Sequence, residues 1–286
     1  MNKLAYIGTI LGICLALISC TAEPDTSDSQ PGLAFDQNNG GLELPDGFRA
    51  VVVAERVGPA RHITIRDNGD IYVALSEKQE EGGIAALRDT DGDGVADQTK
   101  YFGEHTGTGI DIRDGYLYRS SDLEVFRYAL PDEDLIPDKK SETIITGLPE
   151  QNSHAAKSFT FDNDGNIYVN VGGPSNSCQE EGRTPKSPGQ DPCPQLEKQG
   201  GIWQFSATEK EQDQQQDGYR YATGIRNAVA LDWNNAINKL YLVQHGRDQL
   251  NALWPDLFDV EESVQLPAEE FFVAEDGDNF GWPYSY

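Results

Sequence analysis

The residues best able to do chemistry fall in three stretches. Asp89-Thr-Asp91-Gly-Asp93-Gly94-Val-Ala-Asp97 puts oxygen ligands at positions 1, 3, 5 and 9 of a calcium-binding loop, with Gly94 where such a loop must turn sharply. Position 12, where a bidentate Glu closes the helix-flanked version, is Lys100, so the same residues also suit a solvated acidic turn or an ion closed by water. Gln151-Asn-Ser-His154-Ala-Ala-Lys157 carries an imidazole, the side chain best matched to accept a proton near neutral pH. A single histidine in such a place serves equally as a hydrogen-bonded polar residue. Gly224-Ile-Arg226-Asn227 sets a planar cationic fork beside an amide, which suits carboxylates or the polar edge of a cofactor. A surface salt bridge is the plainer use of an isolated arginine. Gln244-His245-Gly246-Arg247-Asp248-Gln249 follows in the same region.

The scaffold that must position these groups repeats. His62–Ala74, Gly109–Arg119, Ser158–Asn170 and Ala228–Val243 each read as a strand, a turn and a second strand. Apolar residues rich in Ile, Val, Phe and Tyr are broken by Asp, Asn and Gly, which tolerate the positive φ of tight hairpins. Copies start at 62, 109, 158 and 228, intervals of 47, 49 and 70 residues, the last stretched by the segment holding Cys178 and Cys193. Propeller blades recur at ~40–50 residues. Amphipathic helical patterning is scarce, which a wheel of four-stranded sheets accounts for. The pattern therefore predicts an all-β fold, a β-propeller; a two-sheet sandwich is the other candidate but does not predict the repeat. His154 precedes the third hairpin and Arg226–Asn227 the fourth, placing both at the inner mouth of a blade.

The first residues suggest export. Met1-Asn2-Lys3 leads an apolar run from Leu4 to Ile18, ending in Leu17-Ile18-Ser19-Cys20. The run is shorter than the ~20 residues of a membrane-crossing helix, so residues 1–19 read as a secretory signal. The tetrapeptide ending at Cys20 resembles the bacterial lipobox, which makes Cys20 an acylated first residue and the membrane a partner through that lipid anchor alone. Residues 20–41, rich in Ser, Asp, Gln, Asn, Gly and Pro, read as a flexible tether, and 42–286 as the folded domain. The expected location is the periplasm or cell surface. Cys178 and Cys193 then remain as a pair that an oxidising compartment favours as a disulfide. A metal site is less favoured, because neither belongs to a Cys-x-x-Cys pair and no histidine lies between them. With 48 acidic against 22 basic residues and a net charge of -26, the chain repels phosphate backbones, which excludes nucleic acid as a partner.

Taken together, His154, Gly-x-Arg226-Asn227, His245-Gly246-Arg247-Asp248-Gln249 and Gly277-Asp-Asn279-Phe-Gly281-Trp282-Pro283 resemble the soluble glucose/sorbosone dehydrogenase family, from about Leu44 to the last residue. The resemblance implies a six-bladed propeller that oxidises the anomeric carbon of a sugar substrate with pyrroloquinoline quinone and calcium. It makes His154 the general base, Arg226 the arginine beside cofactor and substrate, and Asn227 a cofactor contact. Gly246 and Arg247 take the positions whose backbone carbonyls hold calcium, where family members often have proline in place of Arg247. No Cys-x-x-Cys-His is present, so electrons are expected to leave to a separate acceptor. Four repeats against six blades, with the sequence stopping at Tyr286 after the Gly-Trp-Pro turn, predict an arc lacking about two blades, with two uncovered sheet faces. Two other readings stay open: a calcium-stabilised, non-catalytic module binding carbohydrate or protein, and, less favoured, lactone hydrolysis on a similar propeller.

Overall fold

Each of the four repeats folds as a hairpin because its turn carries a residue that accepts positive φ: Gly69 (91°), Gly115 (78°), Gly165 (88°) and Asn238 (55°). The computed structural model describes residues 32–80, 82–137, 140–266 and 269–285; residues 1–19, read as a signal, and Cys20, read as a lipid anchor, lie outside them. The first sheet comprises β1 (Ala60–Ile65), β2 (Ile71–Gln79), β3 (Gly82–Arg88) and β4 (Gln98–Phe102) in that order. The second comprises β5 (Ile110–Arg113), β6 (Tyr116–Ser120), β7 (Val125–Ala129) and β8 (Glu142–Thr146). The third is built on β9 (Phe159–Phe161), β10 (Asn166–Val171), β11 (Gly201–Ser206) and, after β12 (Gln212–Asp213), β13 (Tyr219–Thr223). The fourth has β14 (Ala228–Asn234), β15 (Lys239–Gln244) and β16 (Glu270–Ala274), with short helices α1 (Leu250–Leu253) and α2 (Val260–Gln265) between the last two.

The strands within each sheet are antiparallel, but two outer edges are joined at one end by chain from the next blade. β12 pairs in parallel with the end of β8, and β17 (Asp278–Asn279) with the end of β13, so the outer edges of the second and third sheets are covered in part. The inner strands neighbour one another in chain order, β1 by β5, β5 by β9 and β9 by β14. They surround a central cavity of about 440 Å³, to which Ile63, Ile110, Phe159 and Leu231 each contribute from a different sheet. The fold is thus a four-bladed β-propeller arrangement, as the repeat implied.

Apolar faces hold the blades together. Tyr72, Ile84, Leu117 and Phe126 fill the space between the first two sheets, and Tyr118, Ile144, Ile167 and Phe205 that between the second and third. Tyr168 stacks on Trp233, ring centroids 4.8 Å apart, between the third and fourth. One outcome differs from the open arc expected. The far face of the first sheet, with Val73, Leu75, Ala85 and Leu87, is covered by Ala54 and Val57 of the preceding segment. Within the segment read as a tether, residues 32–41 make contacts with the folded region: Ala34 donates to the carbonyl of Asp93 (2.7 Å), Asp36 donates to Ala50 (2.9 Å), and Arg49 lies over the Phe35 ring. Even a segment poor in large apolar residues can be tied down by backbone bonds of this kind.

Candidate active site

The links into the inner strands all lie at one end of the sheets, and there the structure brings His154, Arg226 and Asn227 together. His154 adopts a left-handed conformation (φ 55°) at the turn before β9. The Gln151 amide nitrogen fixes this turn, lying 2.8 Å from the carbonyls of Ser153 and His154 and 3.0 Å from that of Gly172. The imidazole Nδ1 is 2.5 Å from the Gly173 carbonyl. A carbonyl only accepts, so Nδ1 carries the hydrogen and Nε2 presents a lone pair. Burial pushes the His154 pKa below its ordinary 6.5 and the Arg226 charge pushes it further, against the opposing Gly173 hydrogen bond.

Arg226 is 3% exposed, and its guanidinium has three anchored nitrogens. Nε donates to the Asn176 carbonyl (3.1 Å), one terminal nitrogen to Asn176 Oδ1 (3.0 Å) and the other to the His245 carbonyl (3.3 Å). Its amide donates to Gln244 Oε1 and its carbonyl accepts from the Gly173 amide, so one residue, Gly173, joins His154 to Arg226. Asn227 is buried; its Oδ1 accepts from Asn170, and its carbonyl takes the His245 amide at 3.0 Å. Gly246 and Arg247 follow directly after His245, at the same end of the fourth sheet. Lys157 is fully buried nearby in sequence, its Nζ on the Ala155 carbonyl, and burial pushes its pKa down to about 8.

The acidic loop lies elsewhere. It joins β3 to β4, at the opposite end of the first sheet from the links into the inner strands. Ligand atoms of Asp89, Asp91 and Asp97 lie within 4.8 Å of one another. Asp93, read as a ligand with them, is not in this group; like Asp89 and Asp91 its carboxylate accepts a nearby backbone amide, from Val95 at 2.7 Å, and its carbonyl is taken by Ala34. Backbone amides of Gly92 and Gly94 hold the Asp89 pKa below the carboxylate range, and Thr90 does so for Asp97.

Cys178 and Cys193 are bonded to each other, stapling the long loop between β10 and β11. The Trp282 indole packs on this bond and donates to the Asn176 carbonyl at 3.0 Å. Asn176, Gln151 and the paired glycines 172 and 173 were not singled out by sequence reasoning. Asn176 meets Arg226 across fifty positions, and no local pattern marks such a contact. Gly172 does carry a physical signature, since a Cβ there would stand 2.8 Å from His154 Cβ and 2.9 Å from Asn227 Oδ1. Gly172→Ala is therefore expected to destabilise by about 1–3 kcal/mol through overpacking, and to shift the His154 ring resonances. Denaturant unfolding and NMR test this; unchanged values for both would show that the two side chains have room.

Four sheets around one axis, with an imidazole and a pinned guanidinium where the inner strands begin, define a β-propeller bearing a polar site at one mouth of its channel. The chain belongs to the TrAA12-like family, whose profile matches residues 42–286. Similar solved structures include the holo form of the PQQ domain of pyranose dehydrogenase from Coprinopsis cinerea, at 17% identity and a TM-score of 0.60, covering 76% of this chain and 50% of that one. A calcium structure of Carbohydrate-Active Enzymes Family AA12 from Trichoderma reesei gives 17%, 0.60, 81% and 56%. The PQQ-bound aldose sugar dehydrogenase from Streptomyces coelicolor gives 17%, 0.53, 82% and 65%. The chain thus spans less than two thirds of the length of each of these structures. At this identity the likeness establishes the fold, and it agrees with the family resemblance of the motifs. No curated protein matches the sequence.

Proposed function

We propose that the protein is a sugar dehydrogenase that passes electrons to bound pyrroloquinoline quinone, with His154 as general base. The observation that carries this reading is the His154 imidazole, locked by Gly173 with its Nε2 lone pair available, beside a buried guanidinium. The site suits an anionic planar cofactor. Arg226 has five N–H donors, of which Asn176 and His245 occupy three at 3.0–3.3 Å. The absence of a side chain at Gly172 keeps His154 and Asn227 close together. In this reading Arg226 and Asn227 hold the cofactor, and the carbonyls of Gly246 and Arg247 hold its calcium. When bound, the quinone supplies a two-electron acceptor and calcium polarises it as a Lewis acid. His154 Nε2 takes the hydroxyl proton as the sugar carbon is oxidised, and the depressed imidazole pKa keeps that nitrogen unprotonated at neutral pH. The Asp89–Asp91–Asp97 cluster, at the far end, is assigned a structural calcium. The disulfide is in keeping with an exported protein, anchored through Cys20 and reoxidised by a separate acceptor.

The test is to load the full chain with calcium and pyrroloquinoline quinone, titrate binding by absorbance, and follow dye reduction with glucose and other aldoses. Saturable quinone binding with sugar-dependent dye reduction is the expected result. No binding at all would overturn the reading and leave the non-catalytic binding module.

A further inference from the structure

Asp248 is the carboxylate that stands next to the Arg226 guanidinium. Its Oδ2 is 3.6 Å from the nearer terminal nitrogen of Arg226, just outside a good hydrogen bond. What draws it away is Arg183, which grips both carboxylate oxygens at 2.6 and 3.2 Å. Asn176 restrains the Asp248 backbone, its Oδ1 accepting from the Asp248 amide (3.1 Å) and its Nδ2 donating to the Asp248 carbonyl (2.8 Å). The same Asn176 holds Arg226 through Nε and a terminal nitrogen. Asn176 is 1% exposed, and both it and Arg183 belong to the β10–β11 loop that Cys178 and Cys193 staple.

We propose that Asn176 and Arg183 are positioning residues that hold the Asp248 carboxylate at 3.6 Å from the Arg226 guanidinium, close enough for an ion pair but not for a hydrogen bond, so that the remaining terminal N–H donors of Arg226 stay open to an anionic group of the bound ligand. The inference rests on the cofactor reading for the nature of that group, but the arrangement itself stands without it. A terminal N–H already donated to a carboxylate is not available to an incoming anion. Asp248 needs to move only far enough to turn 3.6 Å into a hydrogen bond. Arg183 and Asp248 are both substantially exposed, 38% and 53%, so their own pair contributes little to stability, and its consequence falls on Arg226 instead.

The experiment is a double-mutant cycle on Arg183→Gln and Asp248→Asn, read first in the unloaded protein by NMR titration of His154. That imidazole senses Arg226, Arg183 and Asp248 together. Loss of Arg183 should raise the His154 midpoint much more when Asp248 is present than in the Asp248→Asn background, because a released Asp248 carboxylate can close onto Arg226. An equal shift in both backgrounds overturns the proposal. In the same cycle, Arg183→Gln should weaken pyrroloquinoline quinone binding about tenfold, and Asp248→Asn should restore it. If the unmodified protein does not bind the quinone yet the His154 cycle is non-additive, the cofactor reading fails and the positioning role stands. Asn176→Asp, which gives Arg226 a carboxylate partner of its own, should make the effect of Arg183→Gln on the His154 midpoint the same with Asp248 as with Asp248→Asn; persistence of the difference counts against Asn176.

Discussion

Replacing His154 by alanine is expected to cut sugar-dependent turnover by about a hundredfold to ten-thousandfold, the range that general-base catalysis supplies, with quinone affinity nearly unchanged. The expectation follows from the division of labour between the two ring nitrogens. Nδ1 is spent on the Gly173 carbonyl, and Nε2 is left to accept a proton. The carbonyl also fixes the tautomer, so no rearrangement is needed before the proton moves. Because burial, then Arg226, lowers the His154 pKa, its titration in the unloaded protein should have a midpoint below 6.5. The same shift makes the fold lose stability as pH falls through 6.5 toward that lower midpoint, since the unfolded chain takes up the proton first. Undiminished turnover in His154→Ala would remove the base from this mechanism, and a midpoint above 6.5 would contradict the environment described for the ring.

The parts of this site that were legible in the sequence are those next to the repeat. The hairpins announce themselves through alternation and through Gly69, Gly115, Gly165 and Asn238, residues that pay no steric penalty or little at positive φ. His154 and Arg226–Asn227 directly precede two of those hairpins, so locating the blades locates them at one mouth. The residues that hold them are another matter. Gln151 works through its amide on three carbonyls, and Asn176 joins Arg226, Asp248 and Trp282 over separations of 50, 72 and 106 positions. Such contacts are set by how the β10–β11 loop folds back, and no periodicity encodes that. β12 and β17 were hidden for a different reason, being two residues each and too short to show alternation.

Trp282→Ala is expected to lower stability by about 3–5 kcal/mol, the cost of emptying a buried aromatic site, and Tm by on the order of 10 °C for a domain of this size. The indole is 3% exposed and fills a space shaped for it by two glycines, since a Cβ at Gly173 would stand 2.3 Å from the ring and one at Gly200 2.7 Å. Its amide donates to the Gly224 carbonyl, and its ring covers the Cys178–Cys193 bond and Leu196. Neither the disulfide nor the β-strands can collapse into the vacated volume, because each is held by its own covalent or ladder bonds, so the cavity persists. Trp282→Phe separates packing from hydrogen bonding. It keeps most of the apolar contact but removes the N–H that Asn176 receives, at a cost of about 1 kcal/mol. The Asn176 carbonyl would then be left with the Arg226 Nε bond alone among these two donors. Thermal and denaturant unfolding of both variants decide the matter. A Trp282→Ala protein within 1 kcal/mol of the unmodified one would mean that the loop is held in place by the disulfide and by Arg183, not by the indole wedge.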